Sequence, residues 1–322
     1  MSRPLVVVVA KQSMYERFIK EQREPKAMAL FQRRDLSVAN WRAAHTLHQR
    51  TVKRVQSVLR SLGARIMVIN SPGGVFDASD ASLVVTVGGD GTLLAASHHV
   101  GSTPIVAVNS SPEHSVGFFC AAHTDNLEQT LAAALEAELP QVVLARMQVS
   151  LNNLICSRRV LNEALFCHAI PAATSRYILS FDHQSEEHRS SGVWVGTAAG
   201  STAATRSAGG RVLPFGSRKL QVVVREPYCR PGTRISLGRI IVDPPATVTM
   251  LSKMEDARLY LDGPFRQIPV ALGDRVTCSA SSEPLCVLGL SKRRPQVPSQ
   301  PPPPPAFEGD TAPDSGSDSS TP

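Results

Sequence analysis

Short apolar runs open the chain and then recur at intervals, with residues 5–10, 65–69, 83–87 and 104–108 each rich in Val and Ile. None alternates apolar with polar, so each predicts a strand covered on both faces, as in a parallel sheet between helical layers. Between the first two runs, Trp41, Ala44, Leu47, Val55, Val58, Leu59 and Leu62 share one helical face, and Gly63 marks a stop. A second helical stretch, 125–139, opens with Asp125 three residues before Glu128, the spacing of a capping box. Alternating strand and helix predicts an α/β layer, a Rossmann-like parallel sheet, over residues 1–138.

From about residue 139 to 290 the pattern changes to short Val, Ile and Leu segments separated by turn residues at hairpin spacing, which predicts a β-rich second domain. Residues 291–322 form a third region; from 295 on they hold nine of the chain's 24 prolines and a Ser/Asp-rich end. Such a tail has too little to bury and is expected to be disordered.

Composition narrows the function. The 322 residues are 42% apolar with a formal charge of +7, which suits a small polyanionic ligand. Arg33, Arg34, Arg50, Lys53 and Arg54 lie near or on a predicted helix without interleaved aromatics, so nucleic acid is not expected as a partner. Six cysteines show neither C-x-x-C pairs nor metal-ligand spacing, and buried thiols in a reducing compartment are expected. No apolar run approaches the ~18 residues of a membrane span. The cytosol is the default compartment.

The chemistry concentrates where strand 83–87 ends. In "LVVTVGGDGTLL", Gly88 and Gly89 let a ligand approach the backbone, and Gly91 with Thr92 open a helix whose N-terminal amides favour anions. Asp90 is the single carboxylate there. Beside a polyphosphate it is costly unless it holds a metal, accepts a hydroxyl proton or fixes a sugar, so the stretch points to phosphoryl transfer. No G-K-[ST] follows, so this is not a Walker loop. A plain strand-to-helix turn capped by Asp90 is the alternative.

A second small-residue loop, "VGTAAGSTAATRSAGG", carries Gly200, Ser201, Thr202 and Ala203, whose amides and hydroxyls could meet an anion or a sugar before the alanines continue as a helix. Between the loops, Asn162 and Glu163 interrupt an apolar stretch, and polar groups so placed need partners. Two such loops in two domains suggest an interdomain cleft. "YLDGPF", with Asp262 and Gly263, reads most simply as a turn, and the histidines read as structural or exposed, His98 and His99 favouring a helix C-terminus and His45 and His48 lying on a helix.

G-G-D-G-T, then N-E, then G-S-T-A followed by S-A-G-G resembles the NAD kinase family, over roughly residues 5–290. The loop "GTAAGSTAATRSAGG" is most similar to plant-type NADH kinases. The resemblance implies transfer of the ATP γ-phosphoryl group to the adenosine ribose 2'-hydroxyl of NADH or NAD, with Mg2+ on the nucleotide and a homodimer or larger assembly. It makes Asp90 the general base or hydroxyl-orienting carboxylate, Gly88, Gly89, Gly91 and Thr92 the phosphate loop, and Asn162, Glu163 and residues 200–203 the dinucleotide side. Three features depart from the family pattern. Position 204 is alanine where an aromatic is usual, Asn109 is followed by a longer loop ending in Gly117, Phe118 and Phe119, and the C-terminal tripeptide that places such plant kinases in peroxisomes is missing. A lipid kinase sharing G-G-D-G-T and a noncatalytic dinucleotide sensor are the competing readings.

Overall fold

The computed structural model describes residues 3–71, 73–113, 115–229 and 235–291. The proline-rich tail from residue 292 lies outside them.

The first sheet has six strands in the order Arg65–Ile69, Leu5–Ala10, Leu83–Gly88, Ile105–Asn109, Leu285–Leu288 and Gln141–Leu144. The first five run parallel and the last is antiparallel, so the sheet is mixed at one edge. Two of its strands, 141–144 and 285–288, come from residues whose spacing had grouped them with the later β-rich stretch. Short runs such as "LCVL" read alike in either kind of sheet, and only the tertiary path tells them apart.

Apolar residues cover both faces of this sheet. Val6 and Val8 pack on one side with Val52, Val55, Val58 and Leu59 of the helix Trp41–Ser61, while Val7 and Val9 face the other with Leu93 and Ala96. Each such side chain contributes roughly 1.5–3 kcal/mol when fully buried. That long helix is rotated slightly from the stripe read off the sequence. Leu47 and Leu62 are partly exposed, and His45 and His48 are buried in their place. The expected capping box at Asp125 is not used. The helix Leu127–Leu135 starts after Asn126, whose Oδ1 accepts from the His123 amide at 2.8 Å.

Two antiparallel six-stranded sheets make up the rest. One includes Ser175–Phe181, Val248–Ser252 and Arg275–Ala280; the other includes Glu163–His168, Val193–Gly196 and Ala257–Leu261. Tyr177, Leu179, Met250 and Val276 of the first pack on Ala164, Phe166, Val195 and Leu259 of the second, forming a β-sandwich. Among the described residues no helix is long and apolar enough to cross a membrane, and all six cysteines are free.

Arg146 joins the two parts. Fully buried, it donates through Nη1 to the carbonyls of Ser97 and Val100 at 2.9 Å each, and through Nε and Nη2 to Glu283 and Pro284. Burial lowers its pKa to about 10, so it stays charged at neutral pH while it caps the last carbonyls of the helix that begins at Asp90.

Candidate active site

Strand order reverses between Leu5–Ala10 and Leu83–Gly88, the place where open α/β sheets collect ligands beyond the carboxyl ends of their strands. The Gly88–Thr92 loop sits at this edge. Gly88 is demanded by packing, since a β-carbon there would lie 2.1 Å from Thr92 Oγ1. Thr92 is thereby buried against the strand end. Gly91 differs: it is exposed, and a β-carbon there would meet nothing within 4 Å.

Asp90 is the first residue of the helix Asp90–Ser97. Its Oδ2 accepts from the Phe118 amide at 2.9 Å and its Oδ1 from the Phe119 amide at 2.8 Å. The loop after Asn109 that departs from the family pattern therefore aims the carboxylate. Each oxygen keeps a second lone pair for a substrate proton.

Lys11, one residue past the first strand, was not singled out from the sequence. Its β-carbon lies 3.3 Å from the point where a Gly88 β-carbon would stand, and burial lowers its pKa. The only sequence signal was a lone cation directly after "VVVVA". His48 also serves this edge. Fully buried, with its pKa lowered to about 4 by burial and by Lys11, it is neutral and places Nδ1 2.9 Å from Ser110 Oγ.

On the sandwich side, two residues satisfy all six backbone polar groups of Leu161–Glu163. The amides of Leu161, Asn162 and Glu163 donate to the Asp262 carboxylate at 2.8, 2.7 and 3.1 Å, and the Glu163 carbonyl accepts from the Asp262 amide. Thr197 takes the rest, donating through Oγ1 to the Leu161 carbonyl and through its amide to that of Asn162. Asp262, read from sequence as a simple turn, does occupy one, with φ of +51° there and +109° at Gly263. Its carboxylate does more than turn the chain.

The side chains of the N-E pair are left over. Asn162 Oδ1 and Glu163 Oε2 are buried and have no protein partner. Burial, reinforced by the negative charge of Asp262, raises the Glu163 pKa to about 8, so this carboxyl is protonated at neutral pH.

The second small-residue loop supports this segment from behind. Gly200 packs directly on the Asn162 backbone, and Thr205 Oγ1 donates to the Gly200 carbonyl at 2.9 Å. Ser201 is fully buried, donating to the Ala198 carbonyl and accepting from the Leu213 amide at 2.9 Å. Its hydroxyl is thus engaged by protein partners on both its donor and acceptor sides. Thr202 and Ala203 are half-buried, and the helix after them, Ala204–Ser207, is a single turn.

All three motifs meet in one apolar cluster, which holds Phe119 beside Asp90, Leu161 before Asn162, and Ala199 before Gly200. Gly200 closes off the backbone side of Asn162, where an added β-carbon would find no room. A cavity of about 440 Å³ opens beside Glu163, lined by Leu165, Cys167, Trp194, Arg225 and Tyr260 among others and by no residue of the Gly88–Thr92 loop.

Residues 74–139 match the ATP-NAD kinase N-terminal domain. The chain is 34% identical over 266 residues to a probable NADH kinase of Oryza sativa subsp. japonica, covering 75% of this chain and 81% of that protein. It is 33% identical over 283 residues to an NADH kinase of Arabidopsis thaliana, covering 77% and 86%. The chain belongs to the NAD kinase family. The fold agrees: an NAD kinase from Archaeoglobus fulgidus, solved with ATP, superposes with a TM-score of 0.63 at 21% identity over 90% of this chain and 95% of that one. Yeast NADH kinase, solved with NADH, gives 0.62 at 14% identity over 91% and 85%. Membership of the NAD kinase family sets aside the lipid-kinase alternative that G-G-D-G-T alone had left open.

Proposed function

We propose that this NAD kinase family member transfers the γ-phosphoryl group of ATP to the 2'-hydroxyl of the adenosine ribose of a nicotinamide dinucleotide, with NADH preferred. The observation that carries the dinucleotide side is the pair of buried, unpartnered atoms, Asn162 Oδ1 and Glu163 Oε2, in a family whose relatives are named NAD and NADH kinases. Buried polar atoms are left bare at a cost that a ligand removes.

Phosphoryl transfer asks mainly for positioning and charge. Asp90, oriented by two amides, accepts the proton of the attacking hydroxyl as the new O–P bond forms and the bond from the γ-phosphorus to the β,γ-bridging oxygen breaks, with ADP as the leaving group. Gly91, with open space above it, and the first helical amides receive the phosphates, and Lys11 offsets their charge. Among the described residues no group of three or more His, Cys, Asp or Glu is gathered to hold a metal. Mg2+ is assigned to the nucleotide, carried on its phosphates, where it neutralises charge. Asn162 and the protonated Glu163 hold the adenosine part through hydrogen bonds.

The preference for NADH is supported by the relatives, since the two plant proteins at 34% and 33% identity are named as a probable NADH kinase and an NADH kinase. Among the described residues lining the cavity beside Glu163, that residue is the one carboxyl, and it is neutral below about pH 8. Arg225 lines the same cavity, with its guanidinium carbon 5.8 Å from the Trp194 ring centre.

The reading is tested by supplying Mg-ATP with NADH or NAD to the purified protein and following NADPH or NADP. Product from NADH in excess of NAD is expected. No product from either, with NADH still bound, would leave a noncatalytic sensor.

A further inference from the structure

We infer that His98 and Asp262 form a positioning pair that sets the Leu161–Glu163 segment relative to the helix bearing Asp90; this deepens the kinase reading and rests on it. Asp262 lies at the end of the strand Ala257–Leu261, and His98 is the residue that ends the helix Asp90–Ser97. His98 Nε2 stands 2.8 Å from Asp262 Oδ2, with the two side chains 2% and 1% exposed.

A turn needs none of this. An aspartate that only starts a turn keeps its carboxylate in water, whereas burying one is costly unless several donors converge on it. Here three consecutive amides supply the donors, and an imidazole from the other part of the molecule is in close polar contact with Oδ2 without being aligned as a hydrogen bond. Three successive N–H groups can converge on one carboxylate only while Leu161–Glu163 stays curled around it. The curl fixes where Asn162 and Glu163 project.

The imidazole sets where the curl sits. Asp90 and His98 are eight residues apart on one rigid helix, about 12 Å at its rise per residue. The helix end is itself anchored by Arg146 on the Ser97 and Val100 carbonyls and by Arg159 Nη1 on the His98 carbonyl at 3.3 Å. The base and the dinucleotide-binding side chains thereby share one strut. The other charged or titratable groups around the pair are His99, Arg146, Arg266 and Glu163, with Arg266 Nη2 at 3.0 Å from His99 Nε2. Asp262 also helps hold Glu163 protonated, which gives a readout that packing alone does not move.

The test is calorimetric binding of NADH and, separately, of ATP to the full chain for wild type, Asp262→Asn, His98→Ala and His98→Gln, with turnover measured alongside. Asp262→Asn and His98→Ala are expected to weaken NADH about tenfold or more and to leave ATP within about twofold. His98→Gln, whose side-chain amide keeps a polar group at Asp262, should recover most of the loss. In wild type, NADH affinity should decline as Glu163 ionises near pH 8, and Asp262→Asn should move that decline to lower pH because a negative neighbour is gone. NADH affinity within about twofold of wild type in both variants, or ATP weakened as much as NADH, would overturn the inference. If Asp262→Asn does not fold, the Ala and Gln variants of His98 decide. A wild type that binds NADH without turning it over would sink the kinase reading and leave the pair to be judged by affinity.

Discussion

Gly200 lies so close to Asn162 that a β-carbon on the glycine would sit 2.3 Å from the Asn162 carbonyl oxygen and 2.6 Å from its carbonyl carbon. Backbone cannot yield as a flexible side chain can. Gly200→Ala should therefore destabilise the protein by about 3 kcal/mol, seen as a lower urea midpoint, and raise the apparent KM for the dinucleotide. Gly91→Ala is the contrast, because nothing lies within 4 Å of its added carbon. It should change stability by no more than about 0.5 kcal/mol while raising the apparent KM for ATP. An unchanged ATP KM would remove Gly91 from the phosphate site.

Asp90→Asn should lower kcat about 100-fold or more with the fold intact, since the amide can no longer take the hydroxyl proton. Rotation cannot rescue it: both oxygens of Asp90 accept from amides, and an Nδ2 placed toward Phe118 or Phe119 would confront an N–H. A fall of less than about threefold in a folded variant would end the base assignment.

The first four strands, the long helix and the order of the motifs were legible in the sequence because each rests on local pattern: β-branched runs, a 3.6-residue stripe, glycines at a strand end. Asp262 was not. Its "LDG" is what any turn looks like, and only the fold brings its carboxylate onto amides about 100 residues earlier in the chain. The same holds for strand 285–288, which crosses back to the first sheet, and for Ser201, whose hydroxyl looked available until Leu213 was found beside it. Polar residues in apolar stretches announce that a partner is needed; they do not say whether it is protein or ligand. For Asn162 and Glu163 the protein satisfies the backbone and leaves the side chains.

The protonated Glu163 should also show in stability. An acid whose folded pKa is raised to about 8 from an ordinary value near 4.3 holds a proton in the native state that the unfolded chain has lost. Stability therefore falls as pH rises between those values, and the loss is complete above the folded pKa. Glu163→Gln removes this dependence. At pH 9 it should be more stable than wild type by roughly 5 kcal/mol, and at pH 4 the two should match. Parallel urea curves at the two pH values decide, and an equal difference at both would show that Glu163 is ionised in the native state.

Arg225 lines the same cavity as Glu163, the residue assigned to the adenosine part, and its guanidinium carbon lies 5.8 Å from the Trp194 ring centre. Oxidised and reduced dinucleotides differ by one positive charge on the nicotinamide ring and are identical at the adenosine end. Arg225→Ala should therefore raise the apparent KM for NADH and NAD by the same factor and leave the NADH over NAD ratio of kcat/KM within about twofold of wild type. A ratio that moves about fivefold or more toward NAD, the effect of roughly 1 kcal/mol of charge repulsion removed, would place the nicotinamide ring beside Arg225 and the adenosine part elsewhere.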